Sequence, residues 1–327
     1  MGERLDQAPV VTSVPVSATD TTGGGMSASP HPVRSLNRRF YGRRRLGIGS
    51  LLGVPLSWML VVYVGSLVLL VVSAFYRLDP VTQKPTTELT GANLRAAFTV
   101  WDSVWIVLRT ALVALLVTII AVVIALPVAF FVSKVVAPWA RRGLIVAMLL
   151  PLWAGYLVKG YAWRAMVSPA GGKFAAAGKG EGGFLESTVG WTPGYGRVAI
   201  VIVLVYLWLP YMILPIYAGL DRLPASLLDA AGDLGARPLR TFRSVIFPLL
   251  LPSIAAGSIF TFSLSLGDYI VPQIVNQGEE RFMFGSIINA TLGAPNQPLA
   301  AAYTVWPLVI ILLYLLAMKR LGAFENL

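Results

Sequence analysis

Apolar residues along this chain come in long unbroken runs, not in alternation and not in short amphipathic stripes. Six runs stand out, at about 51–75, 104–133, 143–167, 197–220, 245–272 and 299–319. A helix needs about 20 apolar residues to cross a bilayer core. Each run meets that length, and each far exceeds the roughly ten-residue strands of a membrane barrel. Inside lipid every backbone amide must find its partner within its own element. The pattern therefore predicts an all-α, polytopic membrane protein with six transmembrane helices.

The polar segments between the runs set the organisation. Residues 1–46 read as a disordered cytoplasmic tail. Its "SATDTTGGGMSASPHP" is rich in Ser, Thr, Gly and Pro and has too little apolar surface to fold. No apolar stretch of signal-peptide type occupies the first 30 residues. The tail ends in the basic run "RSLNRRFYGRRR", suited to anionic lipid headgroups. Residues 47–327 read as the membrane domain. Arg and Lys collect on the cytoplasmic side of membrane proteins, so the basic run places the N-terminus inside, and an even number of spans places the C-terminus there too. Basic residues near the inner junctions outnumber those near the outer ones by about two to one, as that rule requires. Trp101, Trp105 and Trp191 at outer boundaries and Trp139 at an inner one form an interfacial belt. The outer loops at 77–100 and 168–196 are long, and the second is Gly-rich, with a short helix expected near Phe184.

Composition narrows the chemistry. Of the 327 residues 56% are hydrophobic and 13% charged, against about 25% charged in soluble domains. There is no Cys, and the single His, His31, lies in the tail. That removes disulfides, thiolate metal sites and a His-based proton relay. The net charge of +11 follows the membrane asymmetry; no basic patch is interleaved with aromatics as nucleic-acid binding requires. No span carries paired carboxylates, so no catalytic set assembles. The best imitation of a phosphate-binding G-x-x-x-x-G-K-[ST] loop is "GGKFAAAGKG" (171–180), with Lys173 where the first Gly belongs and Gly180 after the Lys. The expectation is a chain with no metal, no cofactor and no ATP site of its own.

One stretch interrupts the apolar pattern: "LLDAAGDLGARPLRTFRSVIFPLLLP", residues 227–252, on the cytoplasmic side between the fourth and fifth spans. Leu227, Leu228, Ala231 and Leu234 recur at helical spacing and form one stripe. Asp229, Asp233 and Arg237 run four apart on another side. Asp233 and Arg237 are a favourable pair, whereas Asp229 facing Asp233 costs roughly 0.2–0.5 kcal/mol. Gly235 suits a helix end and Pro238 the first turn of a new helix. The expected structure is a short helix, a Gly turn, and a second helix running through Pro248 into the membrane. The small residues Ala230, Ala231, Gly232, Gly235 and Ala236 let another surface approach closely. A loop at about 221–248 with a small apolar face and a charged rim is a docking knob.

Residues 229–248 resemble the EAA loop of bacterial ABC importer permeases: an acidic residue and two Ala, three residues, Gly, nine residues, an aliphatic residue, one residue, then a hydrophobic residue and Pro. Here that reads Asp229-Ala230-Ala231, Gly235, Val245 and Phe247-Pro248, with Asp for the usual Glu, Val for Ile and Phe for Leu. "LLPLWAGYLVKGYAWRAMV" (149–167), "VYLWLPYMILPIYAGLDRLP" (205–224), "SLGDYIVPQIV" (265–275), "GGFLE" and "LAAAYTVWPLVIILLYLL" (299–316) are similar to successive blocks of spermidine/putrescine-type permeases, with Lys159 where Arg is usual. The resemblance spans roughly residues 50–320. It implies a type I ABC importer permease fold in the bacterial cytoplasmic membrane. It also implies a coupling helix, with Asp229, Ala230, Ala231, Gly235, Arg237 and Pro248 engaging a separate ATPase dimer that binds ATP and Mg. A second permease subunit, more often a different chain than a second copy, and an extracytoplasmic solute-binding protein complete the implied assembly.

Asp268 is the one acidic residue inside a predicted span, a functional candidate by default. Sixteen residues beyond Pro252, it lies ~24 Å along a helix, in the outer half, near where Pro272 is expected to end the span. A partly buried carboxylate with aromatic faces suits a polyamine, and Tyr269, Tyr156, Tyr161, Trp163, Tyr206 and Tyr211 are the candidate faces. The competing role for Asp268 is an ion pair with Arg109, Lys159 or Arg164. Lys159 and Arg164 also admit an anionic substrate, and the family resemblance admits opines, betaine-like amines or ferric iron. A secondary transporter is the rival architecture, but no internal repeat is visible and the charged loop has no role in it.

Overall fold

The computed structural model describes residues 53–79, 81–82, 84–169, 183–276, 283–293 and 296–320. The N-terminal tail, its basic run and the "GGKFAAAGKG" segment lie outside the described residues. Contacts divide the chain into two compact units, Met1–Val64 and Gly65–Leu327. Helix α1, Gly53–Ser73, crosses that boundary; everything below concerns the second unit.

Five described helices are long and apolar enough to cross a membrane. After α1 these are α3 (Trp101–Val135), α7 (Arg197–Arg222), α9 (Pro238–Leu266) and α12 (Gln297–Arg320). A sixth span is reached when α4 (Pro138–Trp153) and α5 (Tyr156–Met166) are counted as one segment, bent by 92°. Between the spans lie a hairpin of β1 (Tyr76–Leu78) and β2 (Pro85–Leu89), then α2 (Ala92–Thr99), α6 (Phe184–Val189), α8 (Ala225–Asp233), α10 (Ile270–Val275) and α11 (Phe284–Gly293). α6 is the short helix expected near Phe184.

Two expected spans are corrected. The third, 143–167, is not one rod: Ala154 and Gly155 are extended (ψ 136° and 141°), and Pro151, lacking an N–H, weakens the last turn of α4. Apolarity cannot register this break, because "PLWAGYLV" is apolar on both sides of it. The fifth, expected to reach residue 272, ends at Leu266. Gly267, Asp268 and Tyr269 interrupt it, and Pro272 sits inside the separate α10 rather than ending the span. The β-hairpin is a further element the apolar runs do not predict. It carries the exposed pair Arg77–Glu88 at 3.3 Å, and the Asn93 side chain holds its base, donating to the carbonyls of Ala74 and Tyr76 at 3.0 and 2.8 Å.

α7 packs against both α3 and α9, which also pack on each other. Its first half packs Ile200, Val203, Leu204 and Leu207 with Val117 of α3 and Val271, Ile274 and Val275 of α10. Its second half packs Met212, Ile213, Ile216 and Leu220 with Ala121, Ala125 and Ala129 of α3 and Ile246, Leu250 and Ile254 of α9. Lipid tails are as apolar as these side chains, so close van der Waals contact holds the helices, and small residues permit it. The Ala stripe of α3 is one such device. Two glycines are another. A Cβ on Gly219 would lie 2.3 Å from Ser253 Oγ, and one on Gly257 would lie 2.8 Å from Met212 Sδ.

Candidate coupling loop and membrane cavity

The connection from α7 to α9 folds as its residues dictate. Leu234 closes α8 and Gly235 takes φ +71°. The Gly235 N–H donates to the Gly232 carbonyl at 2.8 Å and the Ala236 N–H to the Ala231 carbonyl at 3.0 Å. This pair of bonds is the Schellman helix end, and Gly enters it without the clash a Cβ brings. Arg237 is extended and Pro238 opens α9. Asp229, Asp233 and Arg237 are exposed, as are Ala230, Gly232 and Gly235. The expected apolar stripe divides: Ala231 turns inward, while Leu234 is 87% exposed. Leu239, at the start of α9, is 79% exposed. Pro248 is exposed and follows a wide π-helical turn, Phe242–Ile246, within an otherwise continuous α9.

The second site forms where α9 breaks. The Asp268 side chain is 7% exposed. Its Oδ1 accepts from the Ile270 and Val271 N–H groups at 2.9 and 3.1 Å, which secures the start of α10. Its Oδ2 accepts from the Tyr156 hydroxyl, tying the break to the first residue of α5. These three donors, not Arg109, Lys159 or Arg164, hold the carboxylate in place. Small residues let the elements converge. A Cβ on Gly285 of α11 would lie 2.9 Å from the Asp268 carbonyl, and one on Gly160 of α5 would lie 3.0 Å from Ile274 Cδ1.

A cavity of about 270 Å³ opens here, lined by Tyr156, Trp208, Ser263, Leu264, Gly267, Asp268, Tyr269 and Ile270. Tyr156 stacks on Trp208 with ring centroids 5.9 Å apart, and Tyr211 also meets Trp208 at 5.9 Å, tilted. Of the residues singled out from sequence, Asp268, Tyr269 and Tyr156 line the cavity, and Tyr211 buttresses it through Trp208. Trp163 and Tyr206 pair with each other at 5.2 Å, outside the lining. Tyr161 is 54% exposed and lies outside it too. Trp208 is the residue sequence reading missed. Its signal is a Trp deep in a span, away from either interface where tryptophans normally anchor.

Residues 114–323 match the family described as binding-protein-dependent transport system inner membrane component. The chain is 44% identical over 299 residues to the inner membrane ABC transporter permease protein YdcU of Escherichia coli K12, covering 88% of this chain and 94% of that relative. It is 29% identical over 208 residues to the spermidine/putrescine transport system permease protein PotB of the same organism, covering 61% of this chain and 70% of PotB. It is 37% identical over 67 residues to PotC of that transport system, 20% of this chain and 25% of PotC. Among solved structures, the crystal structure of a bacterial ABC transporter that imports the acidic polysaccharide alginate superposes with a TM-score of 0.62 at 15% identity, over 88% of this chain and 99% of that one. A second structure of an alginate transporter, in complex with its alginate-bound periplasmic protein, gives 0.63 at 12% identity over 87% and 97%. Those likenesses carry the fold, a type I importer permease. With the matched family region, the YdcU identity and the apolar helices together, this multi-pass chain belongs to the binding-protein-dependent inner membrane components, the permease subunits of ABC importers.

Proposed function

We propose that this chain moves a small organic cation, a polyamine of the putrescine or spermidine kind, inward across the bacterial cytoplasmic membrane. The observation that carries the reading is the cavity at the α9 break, where the carboxylate of Asp268 sits among the rings of Tyr156, Trp208 and Tyr269. A carboxylate offers about four acceptor positions. Three take donors from the chain, which leaves one, and the negative charge, for an ammonium group. Each aromatic face adds about 0.5–2 kcal/mol for a cation. The cavity, of about 270 Å³, is close to the low end of the usual range for ligand sites, roughly 300–1,000 Å³. The similarity to PotB and PotC supports the same substrate class.

The rest of the machine follows from the loop. α8 with its Schellman end docks into a separate ATPase dimer, which binds ATP and Mg and supplies the free energy by favouring one state of the permease pair. Both termini face the cytoplasm with α8. A solute-binding protein delivers from outside, and similarity to both PotB and PotC supports a heterodimer with a second permease. This subunit itself catalyses nothing.

The test uses the assembled complex of both permeases, ATPase and binding protein, with spermidine and putrescine as probes of stimulated ATP hydrolysis. Asp268→Asn removes one charge-assisted contact, worth about 1.5–3 kcal/mol, so half-maximal stimulation should need about 10–150-fold more amine. Stimulation at the wild-type amine concentration removes Asp268 as a ligand. Stimulation by anions but by no amine overturns the substrate class.

A further inference from the structure

The joint between α7 and α8 is soft. Leu223 and Pro224 are both extended (ψ 119° and 140°), Leu223 because a residue before Pro is pushed out of the helical region. A push arriving at α8 would be lost by bending there unless the joint were braced. Two cationic side chains brace it. Lys134, in the last turn of α3, donates from Nζ to the Leu223 carbonyl at 3.0 Å. Its neighbours Val132 and Ser133 are buried, which fixes the base of its stem. Arg141, in the first turns of α4, places Nη1 3.5 Å from Asp221 Oδ1. Asp221 and Leu223 flank the last residue of α7, so the turn between α3 and α4 grips the end of α7 just before the joint.

The geometry points to Lys134 as a positioning residue for coupling, with Arg141 as its support: together they make α3 and α4 move with α8. The inference rests on the docking of α8 to an ATPase. Leu223, the residue after α7, has a carbonyl that no backbone N–H reaches among the described residues, since the Leu227 N–H is taken by the Pro224 carbonyl at 3.2 Å. An ammonium is the right partner for a bare carbonyl at a helix C-terminus. α3 packs along both α7 and α9, so a displacement delivered through Lys134 reaches the wall that carries Ser263 and Asp268. The drive thus enters the bundle by two routes, along α7 and across to α3.

The chain has no Cys, so one introduced thiol reports cleanly. In a Ser263→Cys background, the thiol at the cavity wall is labelled with a water-soluble maleimide. The assembled complex is read nucleotide-free and then trapped with MgATP and vanadate, and the ratio of the two rates measures how far ATPase closure reaches the cavity. Lys134→Met should trap vanadate as well as the parent while its labelling ratio falls at least threefold towards one, and Lys134→Arg should restore it. A parental ratio in Lys134→Met, or a loss of trapping that Lys134→Arg does not repair, makes Lys134 a packing residue and overturns the inference. If Lys134→Met fails to insert, Arg141→Gln is read the same way, and a parental ratio there is equally fatal. Gly235→Pro is purified alongside: if it retains the ATPase, the docking assignment fails, whatever Lys134 does.

Discussion

Gly235 allows a worked prediction. Its φ of +71° is free for Gly but costs an ordinary L-residue about 1–2 kcal/mol. Gly235→Ala raises the energy of the helix end by that amount, and the α8–α9 angle then competes with unwound alternatives. If only the native angle docks, affinity for the purified ATPase falls by the matching population factor, about 5–30-fold. Gly235→Asn should lose less, because Asn visits the left-handed region more readily. Gly235→Pro should lose most. Its φ is locked near −65°, and it deletes the donor of the 2.8 Å bond to Gly232; roughly 3 kcal/mol corresponds to about a 150-fold loss. The assay is a titration of nanodisc-embedded permease pair with labelled ATPase, and the predicted order is Gly, Asn, Ala, Pro. Equal affinity for Ala and Asn would refute the backbone explanation. Wild-type affinity for all three would show that the angle set at Gly235 is irrelevant to docking.

Gly219→Ala forces a Cβ to within 2.3 Å of Ser253 Oγ and should destabilise the detergent-solubilised protein by about 1–3 kcal/mol; Ser253→Gly in the same chain should recover most of the thermal stability, and simple additivity of the two would count against direct contact. In the hairpin, the Val81 N–H and the Thr82 hydroxyl bind the Asp79 carboxylate at 2.9 and 2.7 Å and hold its pKa below the ordinary value, the Val81 bond first among the causes. Its contribution to stability is therefore complete above the ordinary aspartate pKa of 3.8 and fades as pH falls through the lower, folded value. Hydrogen exchange at Val81, corrected for the intrinsic rate at each pH, should show protection that falls with acid in the parent and is lower and pH-independent in Asp79→Asn.

The spans were legible because burial in lipid writes itself as length and apolarity, and four of the six needed only end adjustments of a few residues. The turn between α8 and α9 was legible, since Gly235 and Pro238 each have one backbone use that fits, but the apolar stripe of α8 was not, because Leu234 is exposed where Ala231 is buried. The break at Ala154–Gly155 was not, because apolarity measures transfer into lipid and is blind to a change of ψ at two residues. The same blindness extended the fifth span past Gly267. Asp268 was found as an acid in an apolar run, but its anchoring role depends on Tyr156 and on the amides of α10, partners set by the fold. Trp208 was overlooked although its place deep in a span sets it apart from interfacial tryptophans; its stacking partner, Tyr156, is supplied by the fold from a distant helix.

Leu234 and Leu239 are 87% and 79% exposed, among the charged side chains of Asp233, Arg237 and Arg240. Such bare tips invite chaperones, proteases and self-association. On the docking proposed above, a copy lacking its ATPase would keep both side chains uncovered, so faster turnover of unpartnered permease is the expected consequence.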